Sequence, residues 1–113
     1  MKNYLNNTQK NKVISYLGFA KKSGDFICGV DDIIRAKRSG VIIISDKLAE
    51  SGRKKLINHA EKYKINWFEV GGEQMIELAE NFNIKAFAVK NINLANAIIK
   101  IFAESISNGG NLE

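Results

Sequence analysis

Val41-Ile42-Ile43-Ile44 is the stretch that most constrains the fold of this 113-residue chain. Four β-branched residues in a row, bounded by Gly40 and by Ser45-Asp46, lack the alternation of a strand with one wet face. Such a run reads as a strand buried on both sides. A sheet containing it needs a helix layer above and another below, so the rest of the chain must supply amphipathic helices.

It does so in alternation. Asn6-Asn7-Thr8 is placed to cap a first helix running to about Lys22, with Val13, Ile14 and Leu17 at i, i+3/i+4 spacing. Gly18 inside that helix is expected to mark close packing against the sheet, and Gly24 to end it in a left-handed turn. Phe26 to Cys28 reads as a short strand and residues 31–39 as a second helix. Ser51 is expected to cap a third helix that turns Leu56, Ile57, Ala60 and Tyr63 inward. Then come a strand at Asn66–Val70, a helix from Glu73 to about Glu80, a strand at Ile84–Val89, and a last helix capped by Asn91 or Asn93. The expected architecture is α/β: a three-layer α/β/α sandwich whose four-stranded mixed sheet has helices on both faces. Residues 1–113 form one domain, with its core at about 8–106 and a polar tail at 107–113.

The single cysteine excludes an internal disulfide framework and suits a reducing compartment. No stretch approaches the roughly 20 apolar residues of a membrane span, and the first dozen residues lack a signal-peptide core. The expectation is a cytoplasmic protein without membrane attachment. Charge is unevenly spread. Residues 1–55 hold 12 Lys and Arg against 5 acids, and residues 56–113 hold 5 against 7. A basic half beside a slightly acidic half suits an oriented contact with a polyanion, although a basic surface also serves solubility.

The stretch ICGVDDIIRAKRSG, residues 27–40, is the candidate contact. A strand that turns at Gly29 into a helix leaves backbone N–H groups near the surface. Extended to Ser39, that helix puts Asp31, Arg35 and Arg38 on one face, flanked by Asp32. Arginine donates two bonds to the O6/N7 edge of guanine, and a carboxylate accepts from its N1–H and N2–H groups. The plainer reading is an exposed helix with an Asp31–Arg35 pair worth a few tenths of a kcal/mol. Lys37 falls on the apolar side of the wheel and is expected to reach past it to an edge. Arg53, Lys54 and Lys55 crowd the first turn of the third helix, a cost that a nearby anion would offset.

The same residues suggest other chemistries. Asp31-Asp32, Asp46 and Lys90 imitate a Mg²⁺-dependent phosphoacceptor receiver domain. However, one helix and one strand between Asp31 and Asp46 leave no room for the βα unit such a domain needs there. Cys28 and His59 suggest a nucleophile–base pair, but no third residue orients them; they read as a core thiol and a half-exposed imidazole. Two candidate ligands fall short of a zinc site. The aromatic residues lie among aliphatics and lack the spacing of a base-stacking platform. No catalytic activity, cofactor or metal is expected.

With the strand–glycine–helix turn in place, the chain resembles the kink-turn-binding ribosomal proteins of the archaeal and eukaryotic large subunit, especially their short bacterial YlxQ-type members. The resemblance spans roughly Val13 to Phe102 and rests on GFAKKSGDFICG, on GVDDIIRAKRSG followed by VIIISD, and on AVKNINLANAIIK. It implies an α/β/α sandwich that binds structured RNA, ribosomal RNA included; apart from the resemblance, the free chain is expected to be a monomer more than an oligomer. The family pattern of glycine, any residue, asparagine, glutamate, two residues and lysine carries over as Gly29, Asp31, Asp32 and Arg35. The apolar loop before the last strand carries over as Asn81, Phe82, Asn83 and Ile84. Here Asp31 replaces an amide, Asp32 is a methylene shorter than glutamate, and Met75–Ala79 stands where a leucine–glycine is usual. Lys21, Lys22, Arg38 and the 53–55 cluster would then hold phosphates. A protein–protein adaptor that keeps the fold without kink-turn specificity is the competing expectation.

Overall fold

The Val41–Ile44 run is at the centre of the sheet, and all five residues of its strand, β3 (Val41–Ser45), are buried. The computed structural model describes residues 2–108. In chain order these form β1 (Lys2–Tyr4), α1 (Asn7–Ser23), β2 (Phe26–Cys28), α2 (Val30–Arg35), β3, α3 (Glu50–Tyr63), β4 (Asn66–Val70), α4 (Gly72–Ala79), β5 (Ala86–Val89), α5 (Ile92–Ala103) and β6 (Ile106–Asn108). The sheet is mixed and six-stranded, in the order β2-β5-β3-β4-β1-β6. β3 and β4 are parallel, as are β4 and β1, whereas β5 runs antiparallel to both of its neighbours and β6 runs antiparallel to β1.

The α/β expectation holds, but the sheet has six strands instead of four. The additions are β1 and β6, each three residues long like β2 but, as KNY and ISN, without its apolar run. Specific polar contacts hold β1 in place. The buried Gln74 amide accepts from Leu5 N–H at 3.0 Å and donates to Leu5 C=O at 2.7 Å. Asn3 donates to Phe102 C=O at 3.2 Å and to Ser105 Oγ at 2.8 Å. The polar tail expected at 107–113 therefore begins inside a strand, and its residues 109–113 lie outside the described residues.

Side chains of β3 and β5 alternate between two cores, as the strand period of two requires. Val41, Ile43, Phe87 and Val89 meet α1, α4 and α5 through Val13, Leu17, Leu78, Ile98 and Phe102. Ile42, Ile44, Ala86 and Ala88 meet α2 and α3 through Ile33, Leu56 and Ala60. Helices therefore cover both faces, which is why the Ile run needs no polar member. Gly40 allows α5 to approach: a Cβ there would fall 2.2 Å from the Ala95 Cβ. Gly18, expected to make such a contact, faces open space instead.

Side-chain caps open α1 and α5. Asn6 and Gln9 form a capping box at the start of α1, and Asn91 accepts from Leu94 N–H at the start of α5. α3 starts after Ala49, two residues before the Ser51 cap expected. α2 departs most from expectation, ending at Arg35 instead of Ser39. Lys37 takes a left-handed φ of 66°, and its carbonyl lies 2.6 Å from His59 Nε2. The chain reverses there to start β3, so Lys37 is exposed off the helix and Arg38 leaves the α2 face. No helix among the described residues is long and apolar enough to cross a membrane.

Candidate nucleic-acid interface

The end of the sheet where β2, β3 and β4 finish and β5 begins gathers the residues singled out by sequence. Gly29 follows β2 with φ 93° and ψ 143°, a conformation that favours glycine. Its N–H donates to Ala86 C=O at 3.0 Å and its C=O accepts from Ile33 N–H at 3.0 Å. Gly29 thus spends its own N–H and C=O on the sheet and on α2, and beside it the turn presents the side chains of α2.

Those side chains are exposed. Asp31, Asp32 and Arg35 project from the single short helix α2, whose Ile33 is fully buried and anchors it. Arg35 Nη1 donates to Asp32 Oδ1, an i,i+3 pair in place of the Asp31–Arg35 pair expected from spacing. With side chains 72% and 61% exposed, the pair contributes no more than about 1 kcal/mol and yields readily to a competing partner. Asp31 makes no ion pair among the described residues.

Across the rim lies the 81–84 loop. Glu80 ends α4 in a left-handed turn, and Asn81 Oδ1 accepts from Asn83 N–H at 2.8 Å, closing an Asx turn. That turn holds Phe82 outward with 71% of its surface exposed. A groove of about 380 Å³ separates the loop from the Gly29 turn, lined by Gly29, Val30, Lys47, Leu48, Asn83 and Lys85 among others. A second hollow of about 190 Å³ adjoins it and is lined by Lys47, Ile76, Phe82, Ile84 and Lys85 among others. Both depressions share Lys47 and Lys85, so the surface runs without a break from Gly29 to Phe82.

Lys47 and Lys85 were missed in the sequence. Both are exposed and unpaired with any acid among the described residues. The signal was available in principle, since Lys47 follows the end of β3 and Lys85 precedes the start of β5. Only the antiparallel pairing of those strands brings them together, as the 2.9 Å bond from Ser45 N–H to Lys85 C=O shows.

Other expected members lie elsewhere. Gly29 bonds Ala86, whose partner on β3 is Ile44, whereas Arg38 precedes Gly40, which bonds Val89 C=O at 2.8 Å. The length of β3 therefore lies between Arg38 and Gly29. Lys21 is engaged at the end of α4, donating to Ala79 C=O at 3.3 Å, 3.6 Å from the Glu80 carboxylate and 5.1 Å from the centre of the Phe26 ring. Lys22 stands beside it, exposed, at the end of α1. Arg53 is bound to Glu69 at 2.6 Å, leaving Lys54 and Lys55 exposed.

The remaining candidates are corrected by burial. Cys28 is exposed because β2 is an edge strand, and His59 is buried between the Lys37 carbonyl and the Tyr63 ring, whose centre is 4.8 Å from its own. Asp46 pairs with Lys2 at 2.8 Å, and that hydrogen bond holds its carboxyl below the usual range against the opposing effect of burial. Asp31, Asp32 and Asp46 do not come together as an ion-holding group among the described residues.

No protein-family model and no curated protein matches the chain. Among solved structures, it is similar to one described as a protein with unknown function from Bacillus halodurans C. That match has a TM-score of 0.72 and 18% identity, covering 82% of this chain and 98% of that one. At that identity the shared property is the fold, which this chain has in common with the Bacillus halodurans C protein.

Proposed function

We propose that the chain is a non-catalytic RNA-binding protein that recognises structured, kink-turn-like RNA, with ribosomal RNA the foremost candidate. The observation that carries this reading is the meeting of the Gly29 turn and the 81–84 loop across one groove floored by Lys47 and Lys85. The chemistry divides between bases and backbone. Asp31 and Asp32 repel phosphate and accept from guanine N1–H and N2–H, while Arg35, released from Asp32, donates to a guanine O6/N7 edge. Lys47 and Lys85 hold the phosphates that bring those bases into register. Phe82 presents an exposed apolar face to a base or sugar at the far side.

Such a surface suits bent RNA better than a straight A-form duplex. In the duplex the O6/N7 edge that Arg35 would read lies in a deep, narrow groove, and the N1–H from which Asp31 would accept is spent on base pairing. A kink splays them out. The test is a titration with a kink-turn RNA and with the same helix after its G·A pairs are replaced. The expected result is a preference of at least about tenfold for the kinked form, equivalent to about 1.4 kcal/mol. Equal affinity for both would reduce the reading to general RNA affinity, and no binding at low salt would favour a protein–protein adaptor.

A further inference from the structure

At the opposite end of the sheet lies a second groove, of about 440 Å³, that the Gly29 surface does not use. Its cations come from three separate segments: Arg38 from the α2–β3 link, Lys64 from the end of α3, and Lys90 from the β5–α5 link. No carboxylate lines it, and none of the three cations makes an ion pair among the described residues. This contrasts with the Gly29 rim, where Asp31, Asp32 and Glu73 offset the positive charge.

Lys64 takes the left-handed position that ends α3, with φ 56°, whereas α1 ends in the same way on Gly24. Glycine fits that position without strain, and α4 ends in the same conformation on Glu80. Arg38 is steadied over the Tyr63 ring, 5.9 Å from its centre. The Ser39 hydroxyl is buried without a hydrogen-bond partner among the described residues. Beside them the twelve-residue α5 begins. Asn91 satisfies Leu94 N–H, which leaves the amides of Ile92 and Asn93 ahead of the first intrahelical bond.

We infer that this groove binds the phosphates of an RNA segment distinct from the one read at the Gly29 rim. Three cations set along an open edge, with exposed Ile92 beside them, match a backbone of repeated phosphates and not a single enclosed anion. Opening amides at the start of α5 add the partial positive charge of a helix N-terminus. The inference rests on the proposed function only in taking RNA as the ligand. It makes the protein a bridge between two RNA segments.

The test follows backbone amide shifts in the full chain on titration with a short unbent RNA duplex and, separately, with pyrophosphate. The amides of Tyr63, Lys64, Lys90, Ile92 and Asn93 are expected to move with the duplex. Combining Arg38→Ser, Lys64→Gly and Lys90→Ser should abolish those movements and reduce the log–log salt slope of duplex binding by roughly 2–3. Lys64→Gly alone should weaken binding while leaving Tm unchanged or higher, because glycine suits the turn; this separates lost contact from misfolding. Lys12→Gln, on the exposed side of α1, should leave the slope unchanged. Duplex-induced shifts confined to the Gly29–Lys85 rim, or an unchanged slope in the triple variant, would overturn the inference. So would shifts produced by pyrophosphate and not by RNA. Loss of kink-turn preference with these shifts intact would instead count against the Gly29 surface alone.

Discussion

Arg53→Gln separates a structural role for the 53–55 cluster from an RNA contact. Arg53 Nη2 donates to Glu69 Oε1 at 2.6 Å and its guanidinium lies 5.8 Å from the centre of the Trp67 ring. Glutamine keeps much of the stem but strands the Glu69 carboxylate, whose side chain is only 11% exposed. Removing one partner of a fully buried pair costs about 3–5 kcal/mol, and of an exposed pair no more than about 1. The Arg53 side chain is 30% exposed, so water reaches part of the pair and the expected cost is about 2 kcal/mol. For a chain of this length, 1 kcal/mol corresponds to about 4 °C in Tm, giving a fall of about 8 °C. Adding Glu69→Gln removes the stranded charge and should recover about half of the loss, read by urea unfolding in a double-mutant cycle. RNA affinity should stay unchanged. A variant as stable as the parent within about 0.5 kcal/mol, with a reduced salt slope, would refute the reasoning and return Arg53 to the phosphate contacts.

Arg35→Ala should weaken kink-turn binding by about 1–3 kcal/mol and relax the preference for guanine, measured by anisotropy with base-substituted RNAs. A loss of equal size for every sequence would count against base reading. Gly40→Ala should destabilise the fold by about 1–3 kcal/mol, since its Cβ would lie 2.2 Å from that of Ala95. Gly18→Ala, which faces open space in mid-helix, should stabilise it by roughly 0.5–1 kcal/mol; equal unfolding midpoints for the two would contradict the packing described. The Lys2 hydrogen bond lowers the Asp46 pKa in the folded chain. It therefore contributes stability above the unfolded value of about 4, and this is lost as pH falls through the lowered folded value. Lys2→Gln should flatten that acid limb in urea midpoints collected across pH.

The layered architecture was legible because burial on both faces leaves a strand no room for polar residues, and Val41–Ile44 has none. Gly29, Asp31, Asp32, Arg35 and the 81–84 loop were legible through local pattern and resemblance. What escaped depends on distant partners. β1 has no periodicity of its own and is held by Gln74, Asn3 and Lys2 reaching other elements. The end of α2 was hidden because Ala36, Lys37 and Arg38 are good helix formers. The approach of Gly40 to α5 and the His59–Lys37 contact make the chain turn earlier. That early turn moved Arg38 to the other end of the sheet. The exposure of Cys28 and the burial of His59 likewise follow from strand order and helix packing, which no local pattern records.

β5 belongs to both ends. It is four residues long, hydrogen-bonded on both sides and buried throughout, with Lys85 before it and Lys90 after it. At about 3.3 Å per residue, the backbones of those two lysines are held roughly 16 Å apart. Adding or removing one residue would turn every following side chain to the opposite core, so the interval cannot be adjusted in single steps. The strand acts as a gauge block of fixed length, and RNA segments held at both ends would have to accept its spacing.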